Sequence, residues 1–102
     1  MLLSDKINFD KNERAIKKLN IITHPMRAKI IELLLEHKKL TVTEIQNKLK
    51  IFQSEASHHL ILLKDQSVLK RTRDGKLSFY FVDEEYLERL LGCAMLLAET
   101  EK

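Results

Sequence analysis

Two adjacent histidines, His58 and His59, stand in the run FQSEASHHLILLK (Phe52–Lys64), beside Ser54, Glu55 and Ser57. An imidazole in such company can ligate a metal, activate a serine, or hydrogen-bond to an anion or a base edge. The run reads as a helix, and successive side chains on a helix diverge by about 100°. Ser57 and His58 therefore do not face one another, and neither an orienting acid nor an oxyanion donor accompanies them. The histidine pair diverges in the same way, and no Cys, Asp or Glu follows three or four residues later to complete a metal site. Glu55, three residues before His58, supplies one carboxylate only. The chain's two glycines, Gly75 and Gly92, cannot form a phosphate-cradling loop. The expectation is no catalytic residue, no metal ligand and no cofactor. Hydrogen bonding remains.

Projected on a helical wheel, Ala56, Leu60 and Leu63 share one side, with His59 at its margin, while Ser54, Ser57, His58 and Ile61 share the other. The apolar side must face a core. The polar side then offers short hydrogen-bonding groups, of the kind that reach base edges and phosphates in a major groove. Gln53, in the first turn, suits a bidentate contact with adenine. An ordinary solvated helix face is the alternative for Ser54, Ser57 and His58. His59 is expected to be packed and hydrogen-bonded, anchoring the helix.

The surrounding pattern supplies the elements that would position this helix. Ile16, Leu19 and Ile22, with Ala15, mark a helix over 10–22; Pro25 then opens a second over 25–36, with Met26, Ile30, Leu33 and Leu34 at helical spacing. Thr41 or Thr43 caps a short helix over 42–49 that carries Ile45 and Leu49. The His-His helix follows after a tight connection and runs to about residue 66, so 42–66 reads as a helix-turn-helix. Alternating stretches at 68–73 and 77–82 flank Asp74-Gly75 and form a basic hairpin, a wing over 68–82. A last helix over 84–100 begins with acids and turns apolar nearly all round, through Tyr86, Leu87, Leu90, Leu91, Cys93 and Met95 to Ala98. So much apolar surface on a terminal helix points to a second copy of the chain that covers it, with a helix wholly absorbed in the monomer core as the alternative. The expected fold is mainly α (α+β), a winged helix-turn-helix of order α-α-α-α-β-β-α, dimerising through its last helix.

Bulk properties agree with a single domain over 1–102. The chain is 44% hydrophobic and 32% charged, with no apolar run long enough to span a bilayer and no long apolar leader. A lone cysteine, Cys93, excludes an internal disulfide and suits the reducing cytoplasm. Set among leucines it reads as a small hydrophobe, with an intersubunit disulfide as the alternative. The net charge of +3 is unevenly spread. Residues 1–82 hold 16 Lys/Arg against 9 Asp/Glu, a balance of +7, whereas 83–102 hold 2 against 6, a balance of −4. The basic part would attract a polyanion, with lysines that simply solubilise a small domain as the alternative. Double-stranded DNA is the expected partner, with phosphate contacts from Lys48, Lys50, Lys64, Arg71, Arg73 and Lys76 and base contacts from Gln53, Ser54, Ser57 and His58.

The segments THPMRAKIIELL, EASHHL and RTRDGKLSFYFV resemble the helix opening, recognition helix and wing of the ArsR/SmtB-type bacterial transcriptional repressors. The resemblance covers about residues 15–82 and implies a homodimer held by the first and last helices, acting as a repressor on a palindromic operator. Arsenic- and lead-sensing members carry a Cys-Val-Cys run in the helix before the recognition helix, where this chain has Thr41-Val42-Thr43. Zinc-type members carry Asp and His ligands along the last helix. Here Asp83 and Glu85 could begin such a set, but Leu96 and Glu99 hold the later places and no histidine lies beyond His59. The resemblance therefore implies a regulator without the usual metal sites. His24 stands where the family has Asp, Ile61 where Lys is common, and Ser67 where glycine is usual, with backbone strain there if φ is positive. The rival from another functional class is a winged-helix protein–protein adaptor that no longer binds DNA.

Overall fold

The chain's single proline sets the first joint. In a computed structural model, which describes residues 9–100 and the side chains of 16–92, helix α1 (Phe9–Ile22) stops just before it and α2 (Pro25–His37) starts on it. Pro25 has no N–H to leave unpaired at this position, and the Nδ1 of His24 accepts the Met26 amide at 3.3 Å. A two-residue strand β1 (Leu40–Thr41) leads directly into α3 (Val42–Leu49). Thr41 and Glu44 close a reciprocal capping box: the Glu44 amide donates to Thr41 Oγ1 at 3.2 Å, and the Thr41 amide donates to Glu44 Oε1 at 3.0 Å. That bond to the Thr41 backbone holds the Glu44 carboxyl below its ordinary range.

Helix α4 (Gln53–Asp65) follows, then strands β2 (Leu69–Asp74) and β3 (Leu77–Val82), and α5 (Glu84–Thr100). The strands form one antiparallel sheet in the order β1-β3-β2, with Leu40 opposite Tyr80 and Leu69 opposite Val82. Asp83 caps α5 by accepting the Tyr86 amide at 3.1 Å. Ile30, Leu34, Ile45, Leu60, Leu63, Val68 and Leu69 are fully buried, so every element from α2 to β2 except the strand β1 sends a side chain to the centre, and β1 adds the nearly buried Leu40.

The observed order, α-α-β-α-α-β-β-α among the described residues, adds β1 to the expected one. Two residues are too few to show alternation, and β1 exists because β3 offers it a partner. The wing's register differs by one from the expected turn. Asp74 pairs with Leu77, leaving Gly75-Lys76 as the loop, and Gly75 takes φ 65°, which glycine adopts at no steric cost. Ile16, expected on the inward stripe of α1, is 46% exposed. The side chains of Ala15, Cys93, Ala94, Met95, Leu96, Leu97, Ala98 and Glu99, on which the terminal-helix and cysteine readings rest, lie outside the described ones.

Candidate nucleic-acid interface

The connection between α3 and α4 is made by three residues. Lys50 takes a left-handed conformation (φ 56°, ψ 47°) and its amide bonds to Gln46 O, ending α3. Ile51 follows, and Phe52 in an extended conformation starts α4 by accepting the Ala56 amide at 3.0 Å. Helix α4 then buries Ala56, Leu60 and Leu63. Gln53, Ser54 and His58 are exposed and Ser57 is half-buried, so the polar face stands away from the core.

His59 is held inside. It is 5% exposed and is the one buried polar or charged residue among those described. Arg27, on α2, donates from Nε to His59 Nδ1 at 3.2 Å. Glu55 Oε1 lies 3.7 Å from His59 Nε2, and the rings of His24 and His58 stand 5.2 and 5.9 Å away. Burial pushes the His59 pKa below its ordinary value, the Arg27 and His24 charges push the same way, and Glu55 opposes them. A neutral His59 is what the contact requires, because a protonated Nδ1 would point its hydrogen at the guanidinium. The two histidines thus take different roles. His59 locks α4 to α2, and His58 faces outward.

The helix-turn-helix and the wing also carry exposed cationic side chains. Lys48 and Lys50 stand at the end of α3, Lys64 in the last turn of α4, Arg71 and Arg73 on β2, and Lys76 at the tip of the wing; all six are exposed. None of the six pairs with a carboxylate among the described residues. Strand alternation sends Arg71 and Arg73 to the face that buries Leu69, while Lys70 points the other way and meets Asp83 Oδ2 at 3.4 Å. Lys64 and Arg71 meet along one open cleft of about 490 Å³, together with Ser67, Lys70, Thr72 and Phe81. Arg73 and Lys76 do not line it.

Two features have no counterpart in the sequence reading. Phe52 is 79% exposed at the start of α4. Arg27 is the partner of His59 from 32 residues away. Exposure at Phe52 was legible only as the absence of a capping residue before Gln53, and nothing local points to Arg27. Among the described residues no group of three or more His, Cys, Asp or Glu could hold a metal ion. Thr41 Oγ1 is occupied in the cap of α3, and hydroxyls are poor ligands for soft metals, so the segment in the Cys-Val-Cys position does not fit one. No helix of the described residues is long and apolar enough to cross a membrane.

Residues 24–70 match the family described as bacterial regulatory protein, arsR family. The chain is 35% identical over 91 residues to the transcriptional repressor PagR of Bacillus anthracis, covering 89% of this chain and 91% of that protein. Against the crystal structure of that repressor the TM-score is 0.71, over 87% of this chain and 99% of the other. A cadmium resistance transcriptional regulatory protein CadC homolog of Staphylococcus aureus is 31% identical over 99 residues, covering 90% of this chain and 82% of that protein. The crystal structure of NolR from Sinorhizobium fredii matches with a TM-score of 0.75 at 25% identity, over 95% of this chain and 94% of the other.

Proposed function

Because this chain belongs to the arsR family of bacterial regulatory proteins, whose members are transcriptional regulators and not enzymes, we propose that it is a homodimeric repressor of a palindromic operator, acting in the cytoplasm without a metal. One observation carries this reading. Helix α4 turns Gln53, Ser54 and His58 outward while Arg27 holds His59 inward, and the helix-turn-helix and wing carry six exposed cations that have no carboxylate partner among the described residues. In a major groove α4 would bring Gln53, Ser54, Ser57 and His58 to base edges, and Lys48, Lys50, Lys64, Arg71, Arg73 and Lys76 would take phosphates.

The dimer reading has support at helices α1 and α5. Helices α1 and α5 pack together through Lys18, whose Nζ donates to the Tyr86 hydroxyl and lies 4.8 Å from the Tyr86 ring centre. Ile16 on α1 and Leu91 on α5 are 46% and 47% exposed, which favours a second copy covering both helices. The acids of α5 (Glu84, Glu85 and Glu88) would be repelled by DNA, so this end suits the dimer axis and not the groove.

Selection of bound duplexes from a random pool tests the proposal. A palindromic consensus with half-sites about one helical turn apart is expected. Affinity should fall with salt, the slope of log K against log[salt] being about −0.9 per phosphate contacted. A slope near zero refutes DNA binding and leaves the adaptor reading. Release of the duplex by a chelator refutes the metal-free reading.

A further inference from the structure

Phe52 is the most exposed of the large apolar side chains described, at 79%. It occupies the position before α4 where Ser, Thr, Asp or Asn would accept a first-turn amide. Its side chain makes no such bond, whereas His24 caps α2 and Thr41 caps α3. The chain thus forgoes both a cap and the burial of a benzyl group at one residue. That residue adjoins Gln53 and Ser54, at the end of the helix that leads into the groove under the operator-binding reading, on which this inference rests. Its carbonyl is bonded to the Ala56 amide at 3.0 Å, so the aromatic side chain is carried on a fixed backbone. The C5-methyl of thymine is the apolar group on the floor of the major groove, and phenylalanine is among the side chains that pack against it. We propose that Phe52 is a specificity-determining residue that reads one thymine in each half-site through its methyl group.

The test uses the full chain and the duplex recovered by selection, with each thymine replaced in turn by uracil. Uracil keeps the base pair and removes only the methyl. At one position per half-site the wild-type chain should lose affinity about fourfold, the value of one buried methyl. Phe52→Ser should bind thymine and uracil equally at that position, while keeping its sensitivity at every other position. Phe52→Leu should keep part of the preference. Serine supplies the missing cap, so Phe52→Ser should melt no lower than the wild type, which separates a lost contact from a lost fold. The contact is overturned if no uracil position distinguishes wild type from Phe52→Ser, or if Phe52→Ser weakens thymine and uracil duplexes alike. In both cases operator binding stands. Recovery of no duplex from the pool overturns operator binding itself, and the contact with it.

Discussion

Removing the imidazole of His59 should cost far more than its hydrophilic identity suggests. The side chain is 5% exposed and takes the Arg27 Nε–H at 3.2 Å. His59→Ala strips a half-buried cationic donor of its acceptor, at about 1–3 kcal/mol, with Arg27's partial access to water favouring the lower end. Loss of the buried ring adds about 1–2 kcal/mol. The expected sum, about 2–4 kcal/mol, is a large part of the roughly 5–15 kcal/mol that holds a small domain together. Urea unfolding at fixed protein concentration measures it, since dimerisation would make stability depend on concentration. A double-mutant cycle with Arg27→Met should return a coupling of about 1 kcal/mol. The same contact predicts a pH dependence. The folded chain keeps His59 neutral below its ordinary pKa of about 6.5, where the unfolded chain takes up a proton. The unfolded state therefore binds more protons in that window, and stability falls as pH drops below about 6.5, by at most about 1.4 kcal/mol per pH unit, until the lowered folded pKa is passed. His59→Gln should remove this component. A loss under about 0.5 kcal/mol in His59→Ala, no coupling to Arg27, or an unchanged pH slope in His59→Gln would each refute the anchor.

The other predictions concern backbone strain and the exposed cations. Ser67 has φ 67°, so Ser67→Gly should stabilise the fold by about 1 kcal/mol in thermal or urea unfolding. Lys50→Gly should stabilise for the same reason (φ 56°) yet weaken DNA binding and make the salt slope shallower by about 1, so stability and affinity move in opposite directions. Asp83→Asn keeps a capping acceptor for α5 but releases Lys70, and the freed cation should steepen the salt slope; a shallower slope would contradict this. His58→Ala should reduce discrimination between the selected duplex and random DNA, whereas Arg73→Ala should weaken both about equally, as a binding titration on the two duplexes will show.

What could be read from the sequence is what short-range physics dictates. The Thr41–Glu44 box places the start of α3 at Val42, and Pro25 places the start of α2, because capping and a missing N–H act within one turn. The placing of His59 inside and His58 outside also follows from a local rule, the angular offset of neighbours on a helix. The positive φ of Ser67 was signalled by the resemblance, which has glycine there, and it accompanies the closing of α4 by the Val68 amide on Leu63 O at 3.0 Å. Long-range facts left no such trace. β1 is two residues long and is created by β3, whose Tyr80 and Phe79 lie opposite Leu40 and Thr41. Arg27 gives no local sign that it will meet His59. The wing's loop fell one residue later than the Asp-Gly dipeptide suggested, because pairing of Asp74 with Leu77 overrode the dipeptide's own turn preference.

The wing shows how one strand separates structural charge from charge left for a ligand. Lys70, Arg71 and Arg73 are close in sequence and all cationic, and composition alone treats them alike. Period-two alternation on β2 divides them. Lys70 falls on the side where Asp83 can reach it, and Asp83 also caps α5, so this cation ties the base of the wing to the last helix. Arg71 and Arg73 fall on the other face, beyond the buried Leu69, where no described carboxylate neutralises them. An exposed guanidinium without an internal partner keeps its full fork of donors for phosphate oxygens. A one-residue slip of β2 would exchange these faces, taking Lys70 away from Asp83 and turning both arginines to the side that Lys70 now holds. The buried Leu69–Val82 pair forbids that slip, so the hydrophobic register of the wing also decides which of its cations are tied to Asp83 and which stay without a carboxylate partner among the described residues.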